Sequence, residues 1–136
     1  MLRRKHLPLD LQRSLDVFRE VVATLEPAKE RLTDVLPTTR LPGAALPDAL
    51  VAFEEALERA AVLMPAWQHP AVEESWLACT AGVAEARDRA RTLREEAPDL
   101  GGFEGLIGAV EHLLDPLEPF EAAAGAFRDR RRQARR

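Results

Sequence analysis

The fold is decided by residues 70–97, which read PAVEESWLACTAGVAEARDRARTLREEA. Apolar or small residues recur there at steps of four and three: Val72, Trp76, Cys79, Val83, Ala86, Ala90, Leu93 and Ala97. This spacing places them on one stripe of a helix, between residues that are mostly charged or small. Such a helix, about 42 Å long at 1.5 Å per residue, cannot bury its stripe alone. The stretch therefore predicts a bundle with partner helices of similar length.

The same spacing of apolar residues occurs earlier in the chain and predicts a first helix from about Pro8 to Leu36. The stripe consists of Leu11, Leu15, Phe18, Val22, Leu25, Leu32 and Leu36, with Lys29 as its one polar member. Pro27 lies inside the pattern, and a proline both removes an amide hydrogen and clashes with the preceding turn. We expect a kink or a break at Pro27. The apolar spacing continues beyond the proline, which favours the kink.

A second helix is predicted to begin at Pro47 or Asp48 and to run for about 20 residues. Residues 37–47, which contain three prolines and a glycine, indicate a linker before it. The stripe of the second helix is Leu50, Phe53, Leu57, Ala60, Met64 and Trp67. His69-Pro70 marks the next boundary, and Pro98 ends the third helix because the residue before a proline disfavours the helical region.

A fourth helix is expected to open between Asp99 and Phe103. Its stripe is Phe103, Ile107, Val110, Leu114 and Leu117. Residues 115–118, Asp-Pro-Leu-Glu, have the pattern of a new helix N-terminus. Asp115 can serve as the N-cap, and the side chain of Glu118 can form a hydrogen bond back to the cap residue. They predict a sharp kink or a separate fifth helix carrying Phe120, Ala124 and Phe127. Because the other loops are short, the chain is predicted to be an all-α, antiparallel, up-down-up-down four-helix bundle.

Composition suits a single globular domain of 136 residues, 46% of them hydrophobic and 31% charged. We assign residues 1–7 to a basic N-terminal arm, 8–127 to the bundle and 128–136 to an Arg-rich C-terminal tail. The single cysteine excludes an intrachain disulfide, and its place on the apolar stripe predicts an inert core thiol. No segment has the pattern of a secretory signal or a membrane span, so a cytoplasmic location is expected by default.

Charge is distributed unevenly around the net value of −4. Residues 7–127 hold 10 basic and 22 acidic side chains, a net of −12. An even number of helices would bring both termini to one end and create a basic pole. The pole would comprise Arg3, Arg4, Lys5, Arg128, Arg130, Arg131, Arg132, Arg135 and Arg136. Binding of nucleic acid or an anionic surface is one alternative function. The acidic body and the lack of interleaved aromatics favour instead a solvated or partner-pairing tail.

Five carboxylates form a second notable pattern. Residues 54–58, Glu-Glu-Ala-Leu-Glu, are followed by residues 85–88, Glu-Ala-Arg-Asp. This E-E-x-x-E…E-x-x-D arrangement resembles that of the all-α nucleoside-triphosphate pyrophosphohydrolases, the MazG-like family. In that family, carboxylates on two adjacent helices hold Mg²⁺, which neutralises the triphosphate and helps to activate water. The resemblance covers some 35 residues and implies that Glu54, Glu55, Glu58, Glu85 and Asp88 bind Mg²⁺.

Helical phase supports a different interpretation of these carboxylates. With Phe53 and Leu57 facing the core, Glu55 and Glu58 point largely outward, and Glu85 and Asp88 do the same on the third helix. This predicts a solvated acidic face. The sequence contains no Glu-x-x-His pair, zinc-spaced Cys-His cluster or phosphate-binding glycine loop. His69 is interpreted as a helix-boundary residue and His112 as a half-exposed helical one.

Four glycines cluster early in the fourth helix, at Gly101, Gly102, Gly105 and Gly108. Each costs about 1 kcal/mol in a helix interior, so they predict close approach of another helix. An irregular helix start and a ligand cleft are the alternatives. We expect a non-enzymatic interaction or scaffold module that uses no cofactor, whose partner is another protein or a second copy. Lys29 and the glycines mark where the apolar stripes are weakest and where a partner would complete the core. The Mg²⁺-dependent pyrophosphohydrolase remains the enzymatic alternative.

Overall fold

The computed structural model describes residues 7–35, 46–96 and 102–135, and these form five α-helices without a strand. The helices are α1 (Leu9–Val35), α2 (Leu46–Leu63), α3 (Glu73–Glu96), α4 (Gly102–Leu114) and α5 (Pro119–Arg135). Short 3₁₀ turns lie at Met64–Trp67, Pro70–Val72 and Asp115–Leu117. The predicted all-α bundle is confirmed. Most of the predicted linker lies outside the described residues.

Helices α1 to α4 run alternately up and down, each antiparallel to the one before it. Helix α5 instead continues along α3 in the direction of α4. Trp76 at the start of α3 donates from Nε1 to the carbonyl of Met64 just after α2, over 2.8 Å. Arg94 at the far end of α3 pairs with Glu54 in the middle of α2, over 3.2 Å. Farther along, Arg89 of α3 donates to the carbonyl of His112 in α4, over 2.7 Å. Helix α2 packs on α1, α3 on α2 and α4 on α3, whereas α5 packs on α3.

Pro27 does not interrupt α1, which is helical from Leu9 to Val35. The helix therefore continues through the proline, and the predicted alternative of two separate helices is wrong. Pro116 has a larger effect. It lies in the 3₁₀ turn that separates α4 from α5, so the predicted fifth helix exists.

The predicted reciprocal cap at this second proline does not form. The N-cap of the 3₁₀ turn is Leu114, with no side-chain hydrogen bond, and Asp115 lies inside the turn. The amide of Glu118 instead donates to the backbone carbonyl of Asp115 over 3.1 Å. Backbone bonding thus replaces the side-chain cap that the residue types suggested.

Burial confirms the stripe of α2, whose six predicted members are all buried. The stripe of α3 is confirmed for its described members, although Trp76 is only partly buried. On α1 the buried side is rotated from the predicted one: Val21 and Ala28 are buried, whereas Val22 and Lys29 are half-buried. The rotation places Val22 and Lys29 toward α5, where the bundle is less tightly closed.

An aromatic cluster joins α1, α5 and the turn after α2. The ring of Phe18 lies 5.0 Å from Trp67, 5.1 Å from Phe127 and 6.1 Å from Phe120, measured between centroids. Ser14 fixes the same turn, because its hydroxyl donates to the Trp67 carbonyl over 2.6 Å. The cluster holds the α1 side of the bundle to the α5 side through large side chains.

The Arg-rich C-terminal segment, assigned above to a tail, continues α5 as a helix to Arg135. Because Phe127 of α5 packs on Phe18 of α1, the C-terminal half of α5 lies beside the N-terminal half of α1. Among the described helices, none combines the length and apolar content needed to cross a membrane.

Candidate functional site

The five carboxylates of the predicted Mg²⁺ site follow the surfaces of α2 and α3. Glu54 pairs with Arg94 over 3.2 Å, Glu85 with Arg89 over 2.5 Å, and Glu58 approaches Arg87 at 4.0 Å. Glu55 and Asp88 are exposed. Three of the five carboxylates therefore have arginine partners.

No three His, Cys, Asp or Glu side chains within the described ranges come together in a group that could hold a metal ion. The five carboxylates are all described, so this arrangement does not gather them at a common point. Glu55, Glu58, Glu85 and Asp88 are exposed, as helical phase predicts, whereas Glu54 is half-buried. The geometry gives no support to the pyrophosphohydrolase alternative.

His69 has the boundary role that its position predicts. Its Nδ1 accepts a hydrogen bond from the Ala71 amide over 3.0 Å, which caps the turn before α3. Nδ1 is therefore unprotonated in this geometry, and Nε2 donates to Asp10 over 2.9 Å. This hydrogen bond, and then the one from the Leu11 amide, lower the pKa of Asp10 from its ordinary 3.8. The pair ties the start of α1 to the start of α3.

Cys79 is fully buried on α3, as the stripe predicts. Burial in the apolar interior raises the pKa of the thiol to about 12, because the thiolate would lose its hydration. A thiol in this state is a poor nucleophile at neutral pH.

The glycine prediction was wrong at Gly108. A Cβ added there would meet no atom within 4 Å, so no helix packs against it. Close approach occurs instead at Gly82 of α3, where an added Cβ would overlap the carbonyl of Pro116. The turn between α4 and α5 rests on the backbone of α3 at this point.

The basic pole is only partly described. Arg3, Arg4, Lys5 and Arg136 lie outside the described residues. On α5, Arg130 and Arg132 are exposed, whereas Arg128 and Arg131 line a depression beside α1. Arg19 of α1 lines the same depression, although the predicted pole did not include it.

This depression and an adjoining one form a groove between α1 and α5, which we call the α1–α5 groove. Their volumes are about 630 and 340 Å³, and both are lined by Val22, Glu121 and Ala124. The floor is apolar, with half-buried Val22 and Ala124 above the rings of Phe18 and Phe127. The backbones of α1 and α5 hardly approach within 8 Å of one another, whereas those of α1 and α2 do so repeatedly. Large aromatic rings span the space between α1 and α5.

Charge divides the groove into two ends. Arg19, Arg128 and Arg131 line the end nearer the start of α1. Acidic residues line the other: Glu26, Asp115 and Glu118, together with Lys29. Glu121 lines both depressions and lies where they adjoin. Lys29 bonds Glu26 over 3.2 Å. Arg19, Arg128, Arg131, Glu118 and Glu121 have no ion pair with any other residue in the described part of the chain.

Sequence reasoning identified parts of this groove but not the whole. Lys29, the one polar member of the α1 stripe, lies at its acidic end, where a partner was expected. Arg19 and Glu121 were missed, because neither interrupts an apolar stripe. The available signal was their position: each lies one turn from an apolar residue that faces the other helix, Arg19 before Val22 and Glu121 before Ala124.

No protein-family model, curated protein or solved structure matches this chain.

Proposed function

We propose that the chain is a non-enzymatic protein–protein interaction module that acts in the cytoplasm and receives its partner at the α1–α5 groove. The observation that carries this proposal is the groove itself, an apolar floor between two helices whose backbones stay apart. Since α1 packs closely on α2, α2 on α3 and α3 on α5, the groove is where another helix would gain the most contact.

The charges around the groove support the same role. On α3, arginines are paired with carboxylates of this chain, as in Arg94–Glu54 and Arg89–Glu85. Around the groove, Arg19, Arg128 and Glu121 lack such partners among the described residues. Unpaired charges that border an apolar floor are typical of the rim of an interface, where they select and orient a partner.

The proposal is tested by photo-cross-linking in cells, with the full chain carrying a benzophenone amino acid in place of Ala23. Ala23 is exposed and lines the groove, so a bound partner would lie against it. The matched control carries the same amino acid at Ala84, which is exposed on α3. We expect a discrete protein adduct from position 23 and none from position 84.

A second variant links the adduct to the groove. Val22→Arg places a charged side chain on the apolar floor and should abolish the adduct from position 23, because burying an unpaired charge is costly. Absence of an adduct, or equal adducts from both positions, would contradict the proposal. Mg²⁺-dependent release of pyrophosphate from a nucleotide panel, lost in Glu55→Gln, would establish the enzymatic alternative instead.

A further inference from the structure

We propose that the occupant of the α1–α5 groove is a second copy of this chain, bound antiparallel about a two-fold axis that crosses the groove between Val22 and Ala124. This inference rests on the proposed function and names the partner. It follows from the order of charges along the two helices, which is self-complementary in that arrangement and in no parallel one.

The first half of the pattern lies on α1. Arg19 and Glu26 are seven residues apart, about 10 Å along the helix, and both line the groove. Their midpoint falls between Val22 and Ala23. When two copies of α1 face each other antiparallel about this midpoint, Arg19 of each lies opposite Glu26 of the other.

The second half lies on α5 and in the turn before it. Arg128 and Glu121 are also seven residues apart, with a midpoint between Ala124 and Gly125. Arg131 and Glu118 have the same midpoint. Because Arg128, Arg131, Glu118 and Glu121 all line the groove, one axis at this midpoint places each basic side chain opposite an acidic one.

The two midpoints lie at the same level of the bundle. Val22 and Ala124 line the same stretch of groove, and Phe18 packs on Phe127 one turn to the N-terminal side of Val22. Since α1 and α5 run antiparallel, one axis can pass through both midpoints. The charge pattern of α1 and the charge pattern of α5 therefore locate the same two-fold axis, although each midpoint was found on its own helix.

A parallel dimer would oppose the same charges. With the axis along the groove, α1 of one copy would face α5 of the other at the same level. Arg19 would then lie opposite Arg128, and Glu26 opposite Glu121, at both edges of the interface. Like charges across an interface disfavour association.

In the antiparallel arrangement, α1 and α5 of the two copies form a new set of four helices with both apolar floors at its centre. A closed two-fold interface of this type uses the same surface on each chain and leaves no groove open for further growth. It would bury Val22 and Ala124, which are half-buried in the single chain.

The test is a pair of charge reversals, each measured by sedimentation equilibrium over a concentration series. Arg128→Glu and Glu121→Arg each place like charges opposite one another twice in the homodimer. We expect each to raise the homodimer dissociation constant about tenfold or more. Arg130→Glu is the matched control, since Arg130 is exposed on α5 and does not line the groove. Circular dichroism shows whether each variant remains helical.

Mixing the two variants provides the decisive measurement. In a mixed dimer, the carboxylate introduced at position 128 faces the arginine introduced at position 121, and Glu121 of the first chain faces Arg128 of the second. We expect an equimolar mixture to dimerise within about threefold of the original affinity. Failure to recover association in the mixture, or an equal loss from Arg130→Glu, would overturn the antiparallel arrangement.

The failure of this inference can be distinguished from that of the proposed function. A chain that stays monomeric at high concentration, yet gives a groove-specific adduct with a different protein, overturns the dimer and leaves the interaction module in place. The lack of any adduct at position 23 removes both. An adduct with the mass of two chains, together with recovery in the mixture, supports both.

Discussion

The interface between α2 and α3 differs from the groove between α1 and α5 in the size of the buried side chains and in the distance between the two backbones. On α2 and α3 the buried positions include small residues such as Ala56, Ala60, Ala86 and Ala90, and the backbones come close. Between α1 and α5 the buried positions include Phe18, Phe120 and Phe127, and the backbones stay apart. Small side chains allow close packing, whereas aromatic rings hold the second pair of helices apart.

Charges follow the same division. Arg87, Arg89 and Arg94 of α3 pair with carboxylates within the chain, on α2 and one turn away on α3 itself. The arginines bordering the groove have no such partners among the described residues. Three arginines of α3 are thus held by carboxylates of the same chain, whereas the arginines of the groove border an apolar floor where a partner could pair with them.

The largest effect is expected from Phe18→Ala, which removes the ring that joins α1 to α5. Phe18 is buried and contacts three aromatic rings, so its loss leaves a cavity at the centre of the cluster. We expect the free energy of unfolding to fall by about 3–5 kcal/mol. Urea denaturation followed by circular dichroism measures it. Phe18→Leu should cost clearly less, and equal losses would show that the aromatic cluster is not what holds this side together.

Gly82→Ala should have the next largest effect, because it pushes α3 away from the turn after α4, which packs directly on it. The new methyl group would overlap the carbonyl of Pro116, so α3 and the turn after α4 must move apart. We expect a loss of about 1–3 kcal/mol in the free energy of unfolding, typical of overpacking, measured by the same denaturation.

The matched control is Gly108→Ala, since that glycine is helical and has open space around it. Alanine has the higher helix propensity, so this variant should be more stable by about 0.5–1 kcal/mol. If both glycine variants shifted stability in the same direction, the close contact at Gly82 would be refuted.

Two valine truncations compare the closed and open sides directly. Val83→Ala on α3 removes two buried methyl groups and should cost about 2 kcal/mol. Val22→Ala on α1 truncates a half-buried side chain on the groove floor and should cost about 1 kcal/mol or less in a dilute monomer. Thermal unfolding at low concentration ranks the two. A larger cost at Val22 would mean that the groove is closed in solution.

The smallest effect concerns the hydrogen bond between His69 and Asp10, which ties α1 to α3 at the bundle's end. Because His69 lowers the pKa of Asp10 in the folded state, Asp10 binds its proton more readily when the chain is unfolded. Its contribution to stability is therefore present above pH 3.8 and is lost as the pH falls through the lower folded value. Asp10→Asn should flatten this part of the stability profile, measured by urea denaturation between pH 2 and 5. An unchanged profile would contradict the role of the pair.

Much of the fold could be predicted from the sequence because its helices carry regular apolar stripes. The stripes of α2 and α3 predicted the buried side chains, and Asp115-Pro116 predicted a new helix start. The rotation of α1 could not be predicted, since Val21 and Val22 are equally apolar and only the packed partner decides which one is buried. The close approach at Gly82 was also missed, because a single glycine inside a helix does not reveal what lies opposite.

The candidate site was harder to predict than the fold. A groove forms only when two distant segments pack side by side, and neither α1 nor α5 shows it alone. Helical phase correctly placed Glu55 and Asp88 at the surface, because it depends on local geometry. The order of Arg19, Arg128 and Glu121 along the groove depends on how α1 is aligned with α5, and that alignment is set by the rings of Phe18 and Phe127.

The buried thiol of Cys79 has a practical consequence. A thiol reagent can reach the chain's single cysteine only in molecules that have opened, since the side chain has no exposed surface in the bundle. The rate of labelling in the native state therefore reports how often the centre of the bundle comes apart. Every variant proposed above retains this cysteine, so one reaction can follow the opening of each without an introduced probe.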